Sequence, residues 1–124
     1  MKQKLLERRA LEADIIEAIG NAQFRLHYQP QLDLASRNIV GTEALIRWHH
    51  GDISPEAFIP LAEETGLIVR IGEWVLQEAC RQAALWPDLA CIAVNVSPVQ
   101  FRRTGFVEQV KRALKQSGLE AARL

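Results

Sequence analysis

The chain has 124 residues, room for one domain, and its 48% hydrophobic and 24% charged residues suit a soluble, core-forming protein rather than a disordered tail. Lys plus Arg and Asp plus Glu each number 15, so the formal net charge is zero, which argues against a nucleic-acid polymer or an anionic membrane as partner. No apolar run nears the roughly 20 residues of a membrane helix, and the first twenty residues carry scattered charges and no apolar signal region; the expected location is cytoplasmic. Cys80 and Cys91 are too few for a disulfide framework and read as two buried free thiols.

Residues 4–20 predict an amphipathic helix with Leu5, Ile15, Ile16 and Ile19 near one side, ended by Gly20-Asn21. Residues 24–29 alternate, with Phe24, Leu26 and Tyr28 facing one way and Arg25, His27 and Gln29 the other. Residues 39–48 predict a second strand, antiparallel to the first across a short polar turn. Its period of two puts Val40, Thr42, Ala44, Ile46 and Trp48 on one face and Gly41, Glu43, Leu45 and Arg47 on the other.

His49 to Asp52 reads as a loop. Ser54-Pro55 then opens a helix, with Ser at the N-cap, Pro at the first turn, Pro60 inside and Gly66 as the C-cap. A longer helix is predicted over 71–86, with Val75, Leu76, Ala79, Cys80 and Ala83 as its buried stripe and Pro87 as its stop. The apolar run 90–96 predicts a strand covered on both faces, with Asn95 the polar exception. Ser97 to Gln100 has the pattern of a capping box. A last helix is expected over 106–117, with Phe106, Val107, Val110 and Leu114 inward and Gly118 as cap; residues 119–124 are expected to trail away from it. Three strands with crossover helices predict part of a larger α/β domain.

YQPQLDL (28–34), GTEALIRW (41–48), SPEAFIPLAEETGLI (54–68) and AVNVSPVQF (93–101) together resemble the EAL domain family, whose signature matches Glu43 to Arg47. The resemblance implies the N-terminal part of a (β/α)8 TIM-type barrel with an antiparallel first strand, an incomplete barrel here. It divides the chain into a lead-in or linker helix (1–23) and the N-terminal half of an EAL domain (24–124). It implies a Mg²⁺- or Mn²⁺-dependent phosphodiesterase that hydrolyses cyclic di-GMP to linear pGpG in bacterial signal transduction. Carried over by position, it makes Glu43 and Asn95 metal ligands, and Gln29, Leu45 and Arg47 substrate-facing residues. The chemistry agrees, since hard cations take oxygen ligands and a guanidinium holds phosphate.

The family's later metal-binding and catalytic motifs are absent from these 124 residues, and the loop after Arg47 is shorter than the family usually shows. Two protein oxygens do not complete an octahedral Mg²⁺ site, so the isolated chain is expected to be inactive. The alternative function is a non-catalytic half-barrel that self-associates, or binds a partner or a separate C-terminal half. Other readings of single residues stand beside these. Glu43 could pair with Arg47, and Asn95 could be a core amide. His27, His49 and His50 are given no role, the tryptophans read as packing residues, and the basic residues at 102–103 and 111–115 read as a solvated face.

Overall fold

The computed structural model describes residues 2–49, 53–87 and 90–124. Its elements are α1 (Lys2–Gly20), β1 (Phe24–Leu32), β2 (Ile39–Trp48), α2 (Pro55–Thr65), α3 (Ile68–Ala84), β3 (Cys91–Val94), α4 (Pro98–Phe101) and α5 (Phe106–Ser117), then a 3-10 turn at Ala121–Arg123. His50 to Asp52 of the expected loop lie outside the described residues.

The sheet order is β1-β2-β3. β1 runs antiparallel to β2, setting Phe24 opposite Trp48 and Gln29 opposite Glu43. β3 runs parallel to β2, setting Gly41 opposite Cys91 and Glu43 opposite Ala93. A parallel pair needs a long crossover, which α2 and α3 supply.

One sheet face is packed on helices. Phe24, Trp48 and Phe58 stand at the centre of the first core cluster, with ring centroids 5.2–5.7 Å apart. The second cluster joins Ala44 and Ile92 of the sheet to Leu76, Ala79, Cys80 and Ala83 of α3. All five predicted stripe residues of α3 are buried. Trp74 and Trp86 pack as expected, against Phe24 and Tyr28. Gly66 and Gly118 close α2 and α5 at φ 82° and 76°, the left-handed geometry that spares glycine a Cβ clash.

Several expectations are corrected. Only Ile15 and Ala18 of α1 are buried, and Leu5 and Ile16 are exposed; the helix docks through its C-terminal half. β3 has four residues, and only one of its faces is covered: Ile92 is buried, whereas Ala93 and Cys91 are exposed, so Cys91 is not a buried thiol. Ser97 caps α4 by accepting from the Val99 amide, yet the Gln100 side chain turns away from the expected capping box and lies against Gly72. In α5 the buried residue is Ala113, and Val107 is exposed.

The last residues do not trail away. Leu119 and Arg123 are buried, and the Arg123 guanidinium donates to the carbonyls of Ala83 (3.1 Å) and Ala90 (3.3 Å). The final carbonyls of a helix lack intrahelical donors, and Arg123 supplies one at the end of α3.

Candidate functional site on the open sheet face

The pleat turns alternate side chains away from the helices. This open face carries Arg25, His27 and Gln29 of β1, then Glu43, Leu45 and Arg47 of β2. Asn95 follows β3 two residues after Ala93, the register partner of Glu43. Asn95 is exposed, whereas Glu43 and Arg47 are half-buried.

Asn95 Nδ2 donates to Glu43 Oε2 at 3.0 Å. Gln29 stands opposite Glu43 on β1, and Asn95 reaches Glu43 from just past the end of β3. Leu45 and Arg47 lie further along β2 towards its C-terminal end; at about 3.3 Å per residue, Arg47 is roughly 13 Å from Glu43 along the strand. Arg47 Nη1 donates to its neighbour's carbonyl, on Ile46, at 2.8 Å and does not pair with Glu43. The ion-pair alternative is therefore not what this strand builds.

Glu43 and Asn95 offer carboxylate and amide oxygens from adjacent strands. That donor chemistry suits part of a hard-cation shell, with the Asn95 amide turned so that its oxygen faces inward. Among the described residues, no group of three or more His, Cys, Asp or Glu side chains lies close enough to hold a metal.

Sequence reasoning did not single out three neighbours. Arg25 stands opposite Arg47, and its guanidinium is held by the carbonyls of Ala22 and Phe24. Its signal was the same alternation that marked Gln29. Ser97 Oγ donates to Glu63 Oε2 at 2.6 Å and fastens the segment after Asn95 to α2. Gln100 is buried, which its place in an exposed-looking capping pattern gave no reason to expect. The basic residues of α5 do lie at the surface, with Arg112 3.4 Å from Glu73 and Lys111 3.7 Å from Glu108.

An antiparallel first strand, a parallel pair and polar groups towards the strand C-termini define part of an α/β barrel of the TIM type. The EAL domain family matches residues 12–124, and the chain belongs to that family. The bifunctional diguanylate cyclase/cyclic di-GMP phosphodiesterase MucR of Pseudomonas aeruginosa is 46% identical over 131 residues, which cover 100% of this chain and 19% of that protein. The oxygen sensor protein DosP of Escherichia coli is 42% identical, over 100% of this chain and 16% of its own length.

The solved MucR phosphodiesterase in complex with c-di-GMP superposes with a TM-score of 0.87 at 47% identity, over 93% of this chain and 49% of that one. The FimX EAL domain of Xanthomonas citri, also with c-di-GMP, gives 0.86 at 26% identity, over 100% and 50%. The chain thus spans about half of these solved chains and less than a fifth of the two curated relatives. The expected fold, an N-terminal portion of an EAL barrel, is borne out. No helix among the described residues is long and apolar enough to cross a membrane.

Proposed function

We propose that residues 24–124 are the N-terminal half of an EAL-type phosphodiesterase domain that hydrolyses cyclic di-GMP to pGpG in the bacterial cytoplasm, with residues 1–23 as its lead-in helix. The observation that supports this most is the hydrogen bond between Glu43 of β2 and Asn95 just past β3, in an EAL-family sheet. Glu43 and Asn95 hold Mg²⁺ or Mn²⁺, which supplies Lewis-acid polarisation of a phosphoryl oxygen and an activated water when bound. Arg47 receives a substrate phosphate, and Gln29 and Leu45 line the rest of the substrate surface. Arg25, opposite Arg47, adds a second positive charge that favours an anion there. Two protein ligands leave the ion's shell to be completed by other groups, so the chain alone does not turn over substrate.

The test is a chimera in which residues 24–124 replace the matching segment of the MucR EAL domain. It should convert cyclic di-GMP with Mn²⁺ present, and Glu43→Gln should lower kcat by about a hundredfold or more. Equal turnover by the chimera, Glu43→Gln and Asn95→Ala would remove these residues from the site. Metal-dependent turnover by the purified 124-residue chain would overturn its inactivity.

A second reading, a non-catalytic module that associates with itself, is favoured by one feature. β1 and β3 are the edges of the sheet, and Leu32, Leu34, Ile39 and Val40 are exposed around the β1–β2 turn. Light scattering should then give a mass that rises with concentration; a constant monomer mass would end this reading.

A further inference from the structure

Glu43 and Asn95 are held in place by different means. Glu43 lies within β2 and has a register partner on either side, Gln29 on β1 and Ala93 on β3. Asn95 lies just past the end of β3, on backbone that belongs to no strand or helix, and it is exposed. The β2–β3 pairing stops at Val94. The 3.0 Å bond from Asn95 to Glu43 is open to water, and a bond of that kind contributes little net restraint of its own.

The segment that follows supplies the restraint. Ser97 Oγ donates to Glu63 Oε2 at 2.6 Å, a length typical of a hydroxyl donating to a carboxylate. The same oxygen accepts from the Val99 amide at 3.2 Å, so the hydroxyl ties α4 and α2 together. Glu63 follows Ala62, and Phe58, Leu61 and Ala62 bury α2 in the core, which makes it a rigid mount. Further along, the buried Gln100 side chain fills a recess at Gly72 of α3, where a Cβ would collide with it. Asn95 is thus bracketed by the β2–β3 ladder on one side and by contacts with α2 and α3 on the other. On that second side, Ser97 is the nearest tie.

We propose that Glu63 is a positioning residue: acting through Ser97, it holds Asn95 against Glu43 so that both can face one divalent cation. The inference rests on the proposed function, in which Glu43 and Asn95 are the ligands. A cation site needs its ligands oriented before the ion arrives, and groups that orient ligands typically change metal affinity by about 10–100-fold when removed. Glu63 fits that task because its carboxylate is engaged by the Ser97 hydroxyl and not by Glu43 or Asn95.

The test uses the full chain, isotopically labelled, and Mn²⁺ alone, whose unpaired electrons broaden the resonances of nearby nuclei. At low concentration Mn²⁺ should broaden the Asn95 side-chain amide and the Glu43 signals of the unsubstituted chain. Ser97→Ala, which removes the hydroxyl and leaves every charge in place, should raise the Mn²⁺ concentration needed by about tenfold. Ser97→Thr, which keeps the hydroxyl, should restore the original value, and Glu63→Gln, which keeps an acceptor without the charge, should fall between. The resonances of Ala79 and Ile92 in the core should stay where they are, which separates a displaced ligand from a loosened fold. Unchanged Mn²⁺ affinity in Ser97→Ala, or a loss that Ser97→Thr does not restore, would overturn the positioning role and leave the metal reading standing. Tighter binding in Ser97→Ala would make the freed Glu63 a ligand itself and would also overturn it. No broadening at Glu43 or Asn95 in the unsubstituted chain would remove the metal reading and this proposal with it.

Discussion

Asn95 donates a 3.0 Å hydrogen bond to Glu43 across 52 residues of sequence. The bond joins two strands on a face that the helices leave open, so it adds little to the core and much to the geometry of the open face. Asn95→Ala is expected to change the unfolding free energy of the chain by less than about 0.5 kcal/mol, as for other exposed positions. In the MucR chimera the same substitution should weaken Mn²⁺ binding by about tenfold or more. Calorimetric titration with the metal measures the second effect and urea unfolding the first. A large stability loss with unchanged metal affinity would make Asn95 a structural amide.

Phe58 is 0% exposed and its ring meets those of Phe24 and Trp48. Phe58→Ala removes the middle of that cluster and leaves a void which the surrounding strands and helices fill only in part. The expected cost is about 3–5 kcal/mol, read as a lower urea midpoint. A loss below about 1 kcal/mol would mean that α2 collapses onto the sheet far more freely than a packed core allows.

Tyr28 is the single tyrosine of the chain, so its titration can be read without overlap. Burial, and secondarily the charge of Glu78, push its phenol from 10.0 up to about 12. The folded chain keeps a proton that the unfolded chain releases near pH 10. This contribution to stability is intact below about pH 10 and is lost as the pH rises towards 12. Phenolate absorbance should therefore show a midpoint near 12 while the chain stays folded; a midpoint at 10.0 in folded protein would contradict the packing of Tyr28 on Trp86.

Cys80 and Cys91 should differ in reactivity. Cys80 is buried, and burial raises its thiol pKa; Cys91 is exposed on the open face. A thiol reagent should modify Cys91 in the native chain and reach Cys80 only when urea is added. Mass spectrometry of the labelled peptides decides it, and equal labelling rates under native conditions would show that the α3 core opens readily.

Alternation made the sheet readable, because a strand sends every second residue to the same side: Gln29, Glu43, Leu45 and Arg47 are found on the face predicted for them. The α3 stripe was equally plain at a period of 3.6. The errors fall where tertiary contact outweighs local pattern. Ser97 and Gln100 have the spacing of a capping box, but Gly72 opens a recess on α3 that draws the Gln100 amide inward. The residues up to Leu124 read as trailing away from the last helix, yet Arg123 meets carbonyls from Ala83 and Ala90 that are distant in sequence. β3 is apolar enough for two covered faces, and the described helices cover one, through Ile92.

The two strand pairings also differ in how soon they can form. β1 and β2 are joined by a short turn, so their hairpin closes quickly from local contacts. β3 reaches β2 only after α2 and α3 have folded back between them, a closure with a larger entropic barrier. Glu43 is therefore expected to be placed by the hairpin before Asn95 arrives with the strand of longer sequence separation. A chain caught midway would be expected to carry Glu43 on the hairpin without its hydrogen bond to Asn95.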